Sequence, residues 1–254
     1  MSVKVSILVL TYNRVDLSRE FIPQIIDNAG NIPCEVLIWD NGSSDGSYDW
    51  AYSYGAADCR VAAVYGASEN IGVEAFNTMA ADARGEFIIK VDDDVTVPVN
   101  FAQRLVSAYE RIGEDKLLYL GWDMSWGAHV GAGTFATRSG FSMYQGSRGR
   151  VVQLSSHERA LITYNPYKWM VNGVCRLSPR DKFLAVGGHP KGIIYGADAM
   201  ISATAAAHGY WIGYLNAKDL VHHRGNLDGV AYRKLKDSEM HKAAVMGRAC
   251  LKQL

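Results

Sequence analysis

The chain has 254 residues, of which 48% are hydrophobic and 20% charged, and its formal net charge is zero at pH 7. This composition is ordinary for a globular protein, and the length suits one large domain with a full core or two small ones. A balanced charge gives no global argument for binding nucleic acid or a membrane surface. No apolar run approaches the roughly 20 residues that cross a bilayer. The four cysteines lack CxxC spacing, so neither zinc nor a disulfide framework is indicated, and we expect a soluble, cytoplasmic protein.

Strand-like and helix-like segments alternate along the first hundred residues. Apolar runs rich in β-branched residues predict strands, and apolar residues at helical spacing predict helices. The predicted strands are 3–10, 34–39, 61–65 and 87–95, and the predicted helices are 15–28, 48–54 and 73–83. Pro23 is expected to kink or break the first of these helices. Alternation with short links predicts a mostly parallel sheet covered by helices on both faces.

The second half of the chain shows a less regular pattern. Its predicted helices are 101–112, 178–186, 196–208 and 232–251, and its predicted strands are 117–122, 151–154, 160–164 and 210–215. Asn100 is expected to cap the first of these helices, with Gln103 completing a capping box. Ser178 is expected to cap the next, with Pro179 at its first helical position. The intervening stretch 121–149, rich in Gly, Ser and aromatic residues, is predicted to form loops and short hairpin strands.

Three adjacent carboxylates, Asp92, Asp93 and Asp94, follow the apolar run that begins at residue 87. Ligands of open α/β sheets bind outside the carboxyl ends of the strands. Strand alternation places Asp92 and Asp94 on one side and points Asp93 away. Two carboxylates beside a crevice suit Mg²⁺ or Mn²⁺ that also binds a phosphate. The alternative is an acidic turn in which Asp94 or a neighbour caps the segment that follows.

Four segments of the chain occur in the order typical of one enzyme group. They are 5–14, 39–46, 70–72 with 85–89, and the carboxylate triplet 92–94. The chain resembles the GT-A glycosyltransferases, specifically the family 2-like inverting group, closely over 3–97 and more thinly over 172–223. The resemblance implies an α/β fold of the GT-A type, a Rossmann-like, mostly parallel central sheet with helices on both faces, an acceptor-side subregion and a C-terminal helix. It implies one domain over 1–225, with a nucleotide-sugar half at 1–97 and an acceptor half at 98–225, before a helical tail at 226–254.

The resemblance also implies residues that bind the donor, which we expect to be a UDP-sugar. Thr11 and Tyr12 match the family's nucleoside contacts. Asp40 resembles the carboxylate that accepts from the pyrimidine imide N–H or the ribose hydroxyls; the alternative is a residue that starts an Asx turn. Asn70 either reaches the base or closes the helix start. The implied donor-binding set is Thr11, Tyr12, Asn13, Arg14, Asp40, Asn70, Gly72, Asp92 and Asp93.

Asp92 and Asp94 match the family's DxD motif, which implies a Mn²⁺ or Mg²⁺ ion on the donor diphosphate. The role of Asp93 is left open. A third ligand in the family often comes from a histidine after the late strand, where His222 and His223 stand in this sequence. The sequence does not choose between them, and the alternative is a polar surface pair.

An inverting transferase needs a base that takes the proton of the acceptor hydroxyl. Asp198 matches the second position of the family's acidic pair, whereas Ala197 stands at the first position, where Glu is common. The alternative is that Asp198 only occupies the first turn of a helix, where negative charge is favourable. Gly173 and Arg176 resemble the strand that lines the acceptor side.

These residues predict a metal-dependent, inverting glycosyltransferase. We expect a saccharide or glycoconjugate acceptor; a glycolipid, a protein or a hydroxymethylated DNA base remains open, as does the oligomeric state. The basic tail leaves open a peripheral contact with a membrane. Two other functions stay open: a nucleotide-sugar binder without catalysis, which Ala197 suggests, and a phosphohydrolase, since 92–96 also fits a DxDxT motif.

Overall fold

The computed structural model describes residues 2–126, 149–163, 173–194, 197–223 and 238–239. The strands are β1 Val5–Thr11, β2 Cys34–Asp40, β3 Val61–Gly66, β4 Phe87–Asp92, β5 Val95–Thr96, β6 Leu117–Trp126, β7 Gly149–Gln153, β8 Arg159–Thr163, β9 Cys175–Pro179 and β10 Trp211–His222. The helices are α1 Val15–Asp27, α2 Ser47–Ala57, α3 Ala75–Asp82, α4 Phe101–Ile112, α5 Arg180–Ala185 and α6 Asp198–Ala207, and a 3-10 turn spans Gly72–Glu74.

The strands described form one mixed sheet in the order β3-β2-β1-β4-β9-β6-β10-β8-β7, with β5 paired to β10. The four strands from β3 to β4 are parallel, as predicted. Beyond them, β9 is antiparallel to both β4 and β6, and β10 runs parallel to β6. The short β5 pairs with the last residues of β10, Val95 with His222. This pairing brings the chain just after β4 against the end of β10.

Helices cover both faces of the sheet, which confirms the prediction. One hydrophobic cluster joins the sheet to α1 and α4, and a second joins it to α3, α5 and α6. Strand β4 alternates between them, because Phe87, Ile89 and Val91 belong to the first cluster and Ile88 to the second. By the same alternation, Lys90 and Asp92 follow on the side of Ile88, so this side of the strand becomes polar towards its carboxyl end.

The predicted capping box at the start of α4 is wrong. Asn100 adopts φ 62° and its side chain makes no capping hydrogen bond. The two residues that follow α1 supply the acceptors instead: the N–H of Phe101 donates to the carbonyl of Asn28 at 3.1 Å, and that of Gln103 to the carbonyl of Ala29 at 3.2 Å. Since a neighbouring segment satisfies these donors, the helix needs no cap of its own.

The predicted start of the helix after residue 178 is also displaced. Ser178 and Pro179 both belong to β9, where they pair with β4, and α5 begins at Arg180. The N–H of Arg180 donates to the carbonyl of Glu86 at 2.9 Å. Helix α1, in contrast, runs through Pro23 without the break considered above. The edges of these elements follow strand pairing rather than local propensity.

Strand β10 is longer than predicted because its pairing with β6 and β5 continues to His222. The pair β7 and β8 confirms the predicted strand pair near 151–164. Residues 127–148 of the predicted loop region, and nearly all of the predicted tail at 226–254, lie outside the described residues. The division of the chain into halves and a tail remains a prediction. None of the described helices is long and apolar enough to cross a membrane.

Candidate functional site

The loops after β1 and β2 are tied together at the carboxyl ends of these strands. The backbone N–H of Asn13 donates to Ser43 Oγ at 2.8 Å, and Asn13 Oδ1 accepts from the N–H of Ser44 at 2.8 Å. Asp45 Oδ2 accepts from the N–H of Val15, the first residue of α1, at 2.8 Å. These bonds hold the two predicted donor-binding loops as one rim.

Of the two predicted nucleoside contacts, only Tyr12 presents a half-buried side chain at this rim. Thr11 is fully buried. Its hydroxyl is hydrogen-bonded to Ser18 Oγ at 2.7 Å, and its carbonyl accepts from the N–H of Asn41 at 2.9 Å. The contacts of Thr11 therefore join β1 to α1 and β2, and its contact with a nucleoside remains a prediction.

Asp40 is a buried carboxylate whose two oxygens have different surroundings. Its Oδ2 accepts from the N–H groups of Gly42 at 3.2 Å and Ser43 at 2.9 Å, which is the Asx-turn arrangement. Its Oδ1 is buried and has no hydrogen-bond partner among the described residues. The turn and a ligand contact are therefore compatible, because each can use its own oxygen.

Asn70 and Gly72 lie in a network that joins the loop after β2 to the segment before α6. Asn70 Oδ1 accepts from the Asn41 side chain at 2.8 Å and from the N–H of Gly72 at 2.9 Å. Gly72 has φ +66°, and a Cβ there would collide with the backbone of Ile193. The N–H of Val73 donates to the carbonyl of Ile193 at 3.0 Å. Asn70 thus closes the helix start, and the network fixes the segment that leads towards α6.

The predicted orientation of Asp93 is wrong. Strand β4 ends at Asp92, and the next two residues form a turn, so strand alternation no longer applies. Arg14 Nη1 lies 3.2 Å from Asp93 Oδ1 and 3.0 Å from Asp94 Oδ2, which brings these two carboxylates together. Burial raises the pKa of Asp93 to about 6. The Arg14 guanidinium opposes this increase, and the neighbouring Asp94 carboxylate adds to it.

The structure brings Asp92, Asp94 and His222 together. Each offers one ligand atom, and these atoms lie within 4.8 Å of one another. His222 ends β10 and is buried, with its Nε2 3.1 Å from Asp94 Oδ1. Two ligands of one ion at about 2.1 Å stand about 3 Å apart in octahedral geometry, so this pair fits a divalent metal. Two carboxylates and an imidazole form a donor set that accepts Mn²⁺.

His223 has different neighbours. Its Nε2 is hydrogen-bonded to Thr96 Oγ1 at 2.8 Å, and its ring stacks on Phe21 with the centroids 4.9 Å apart. Its backbone N–H donates to the carbonyl of Asp94 at 2.9 Å. These contacts anchor the end of β10, and they favour His222 over His223 as the third ligand.

Asp198 begins α6 and its side chain is 41% exposed. Its Oδ1 lies 3.7 Å from Arg176 Nη1. A Cβ added to Gly173 would lie 2.6 Å from the same oxygen and 3.5 Å from Lys90 Nζ. Gly173 is therefore a neighbour of both the predicted base and Lys90, whose ammonium group contacts the Asp92 carboxylate.

Arg176 is a buried cation beneath Asp198. Its Nη2 donates to His189 Nε2 at 2.8 Å, and its guanidinium lies 5.2 Å from the centre of the Tyr119 ring. Burial and the neighbouring Arg176 and Lys90 charges hold the pKa of His189 well below its usual range, so the ring is neutral and can accept this bond.

The Asn77 side chain fixes the backbone of His189 by accepting from its N–H at 2.7 Å and donating to its carbonyl at 3.0 Å. These two hydrogen bonds hold His189, which directly follows the glycines at 187 and 188, beneath Arg176. No pattern in the sequence predicted a role for Lys90, Asn77 or His189. For Lys90 a signal existed, because a lone cation two residues before Asp92 in an apolar strand must lie on the same face.

Residues 6–120 match the family model described as Glycosyl transferase family 2. No curated protein matches the chain. Among solved structures, the chain is similar to S. aureus TarS 1–349 in complex with UDP-GlcNAc, with 17% identity and a TM-score of 0.67, over 97% of this chain and 66% of that one.

Two further structures show the same fold. The mannosyltransferase PcManGT from Pyrobaculum calidifontis, in complex with GDP-Man and Mn²⁺, has 19% identity and a TM-score of 0.62, over 97% of this chain and 65% of that one. GalNAc-T7 with UDP, GalNAc and Mn²⁺ has 15% identity and a TM-score of 0.60, over 88% of this chain and 44% of that one. The chain thus spans less than two thirds of these relatives' lengths. The shared architecture gives the chain a GT-A fold, and residues 6–120 are similar to the glycosyl transferase family 2.

Proposed function

We propose that the chain transfers a sugar from a nucleotide-sugar, for which a UDP-sugar is the expected class, to an acceptor hydroxyl with inversion. One observation carries the proposal: Asp92, Asp94 and His222 converge within 4.8 Å at the edge where donors bind in α/β sheets. Gly173 borders both Asp198 and Lys90, and Lys90 contacts Asp92 of this group.

The proposed metal ligands are Asp92, Asp94 and His222, which would hold Mn²⁺ or Mg²⁺. A bound ion supplies charge compensation for the diphosphate that leaves. The Mn²⁺ bound to PcManGT and GalNAc-T7 supports this choice of metal. Arg14 Nη1 lies 3.0 Å from Asp94 Oδ2, while Asp94 Oδ1 faces His222, so the oxygen on the side of His222 is the one that would bind the metal.

The proposed donor contacts lie on the rim formed by the β1 and β2 loops. Asp40 Oδ1, buried and without a hydrogen-bond partner among the described residues, would accept from the imide N–H of a uracil. Tyr12 would lie against the base. TarS 1–349 is bound to UDP-GlcNAc and GalNAc-T7 to UDP, which supports this donor class, whereas PcManGT is bound to GDP-Man.

Asp198 is proposed as the base. Its exposed carboxylate would take the proton of the acceptor hydroxyl while that oxygen bonds to the anomeric carbon. The bond from this carbon to the diphosphate breaks on the opposite side, and its electron pair leaves with the nucleoside diphosphate. Arg176 Nη1 lies 3.7 Å from the Asp198 carboxylate, on the side away from solvent. A saccharide is the acceptor we propose.

A thermal-shift panel of UDP-, GDP-, dTDP- and CMP-sugars, each with Mn²⁺ and with EDTA, tests the donor half. A ligand that binds only the native state raises Tm by mass action. We expect Mn²⁺-dependent stabilisation by UDP-sugars, and no response to any nucleotide would contradict the proposal.

The variant Asp198→Asn tests the catalytic half. We expect donor binding to persist while donor hydrolysis and transfer fall by at least about a hundredfold, within the range for losing a general base. Full turnover in this variant would place the base elsewhere. Donor binding by the wild-type chain without any turnover would instead support the binding-only alternative.

A further inference from the structure

Lys90 is a cation inside the sheet, two residues before the first proposed metal ligand. It lies on the same side of β4 as Asp92, and its ammonium group contacts both Asp92 Oδ1 and the carbonyl of Gly173. The Lys90 side chain is only 13% exposed. An ammonium group this buried requires an anionic or strongly polar partner, because desolvation without one is costly.

The neighbour across the strand pair offers Lys90 no such partner. Lys90 stands directly opposite Arg176 in the register of β4 and β9, and like charges in this position repel. Arg176 is turned towards His189 and the Tyr119 ring. The Lys90 ammonium therefore lies towards Asp92, at the carboxyl end of the strand.

This contact places two cations in competition for one carboxylate. Asp92 belongs to the group of three residues that fits a divalent metal, and Lys90 already holds one of its oxygens. A metal at Asp92 would stand within a few ångströms of the ammonium group, where repulsion between charges is strong outside bulk water. Metal binding must therefore weaken the contact between Lys90 and Asp92.

We propose that Lys90 is the resident counter-ion of Asp92 and that it passes to the diphosphate of the nucleotide when metal and nucleotide bind together. The inference rests on the proposed function, because it takes the ligand to be a nucleoside diphosphate. That ligand brings new negative charge beside Asp92 and replaces the partner that Lys90 loses. Because of Lys90, the metal binds weakly when the nucleotide is absent and more tightly when the nucleotide is present. This is positive coupling between the two ligands.

The test measures Mn²⁺ affinity by electron paramagnetic resonance of free Mn²⁺, with and without UDP, in the wild-type chain and Lys90→Met. Without UDP we expect Lys90→Met to bind Mn²⁺ about tenfold more tightly, since the competing charge is gone. UDP should increase Mn²⁺ affinity by a larger factor in the wild type than in the variant. Lys116→Met, which removes an exposed charge beside Trp211, serves as the matched control and should behave like the wild type.

Lys90→Gln is measured in parallel, because it removes the charge but keeps a polar donor, and melting curves in EDTA verify that each variant is folded. Unchanged or weaker Mn²⁺ binding in both Lys90 variants would overturn the proposal. Tighter Mn²⁺ binding with equal UDP coupling in variant and wild type would overturn the transfer to the diphosphate. If the Mn²⁺ and UDP effects are as expected but the chain transfers no sugar, the proposed function is overturned and the inference about Lys90 stands.

Discussion

Gly173 and Asp198 are in such close contact that a Cβ atom at residue 173 would lie 2.6 Å from Asp198 Oδ1. The carboxylate occupies the space that a side chain at 173 would need. The glycine before β9 therefore sets the position of the proposed base, which the start of α6 alone would leave free to rotate. The resemblance placed Gly173 only on the acceptor-side strand, whereas the structure relates it to the base itself.

Gly173→Ala is expected to displace the Asp198 carboxylate. Overpacking at such a contact costs about 1–3 kcal/mol. We expect a lower unfolding free energy and at least about a tenfold lower transfer rate, with donor affinity retained, measured by urea unfolding and by turnover. Asp198→Ala supplies the background control: adding Gly173→Ala to it should cost little further stability, because the clash is gone. An equal cost in both backgrounds would show that the contact is not the cause.

His222→Ala and His223→Ala form a matched pair. His222 lies 3.1 Å from Asp94, so its loss should weaken Mn²⁺ binding by at least about tenfold, as expected for removing a ligand-sphere group. His223 is hydrogen-bonded to Thr96, so its loss should cost about 1 kcal/mol of stability and leave Mn²⁺ affinity within about twofold. Titration of Mn²⁺ and urea unfolding measure the two effects, and the reverse pattern would assign the ligand to His223.

Asp40→Asn tests the separate duties of the two Asp40 oxygens. The amide oxygen can still accept from the N–H groups of Gly42 and Ser43, so the turn and the melting temperature should be nearly unchanged. The loss of the anionic acceptor should lower UDP affinity by about tenfold, the effect of one charge-assisted hydrogen bond. Calorimetric titration measures it. Unaltered UDP affinity in a folded variant would exclude Asp40 as a base contact.

Asp58 provides a pH prediction far from the candidate site. The Arg60 side chain donates a hydrogen bond to the Asp58 carboxylate at 2.7 Å. This contact lowers the pKa of Asp58 from an ordinary 3.8 to about 2, although burial acts in the opposite direction. Because the folded pKa is the lower one, the stabilisation is complete above the unfolded pKa and disappears as pH falls from about 4 towards 2.

Asp58→Asn should therefore reduce the unfolding free energy by about 1 kcal/mol at pH 7, the scale of a half-exposed ion pair. The difference from the wild type should shrink at pH 4 and again at pH 3, as measured by urea unfolding while both proteins remain folded. A difference that is constant over this range would contradict the assigned cause.

Local patterns predicted most of the elements but not their edges. The first three strands and α4 lie within a residue or two of their predicted bounds, since apolar periodicity acts over a few residues. The capping box at Asn100 and the helix start at Ser178 were wrong, because the carbonyls of Asn28 and Ala29, just after α1, and the pairing of β9 replaced the local signals.

The features of the candidate site also fall into those that depend on neighbouring residues and those that depend on distant contacts. The sequence by itself determined the strand–helix order, the glycine turns, and the presence of Asp92 and Asp94 after a buried strand, because each is a feature of neighbouring residues. Only the tertiary structure decided that His222 faces Asp94, that His223 turns to Thr96, and that Lys90 contacts Asp92 beside Gly173. The His223 contact joins residues 127 positions apart, and such contacts depend on strand register, which no local pattern specifies.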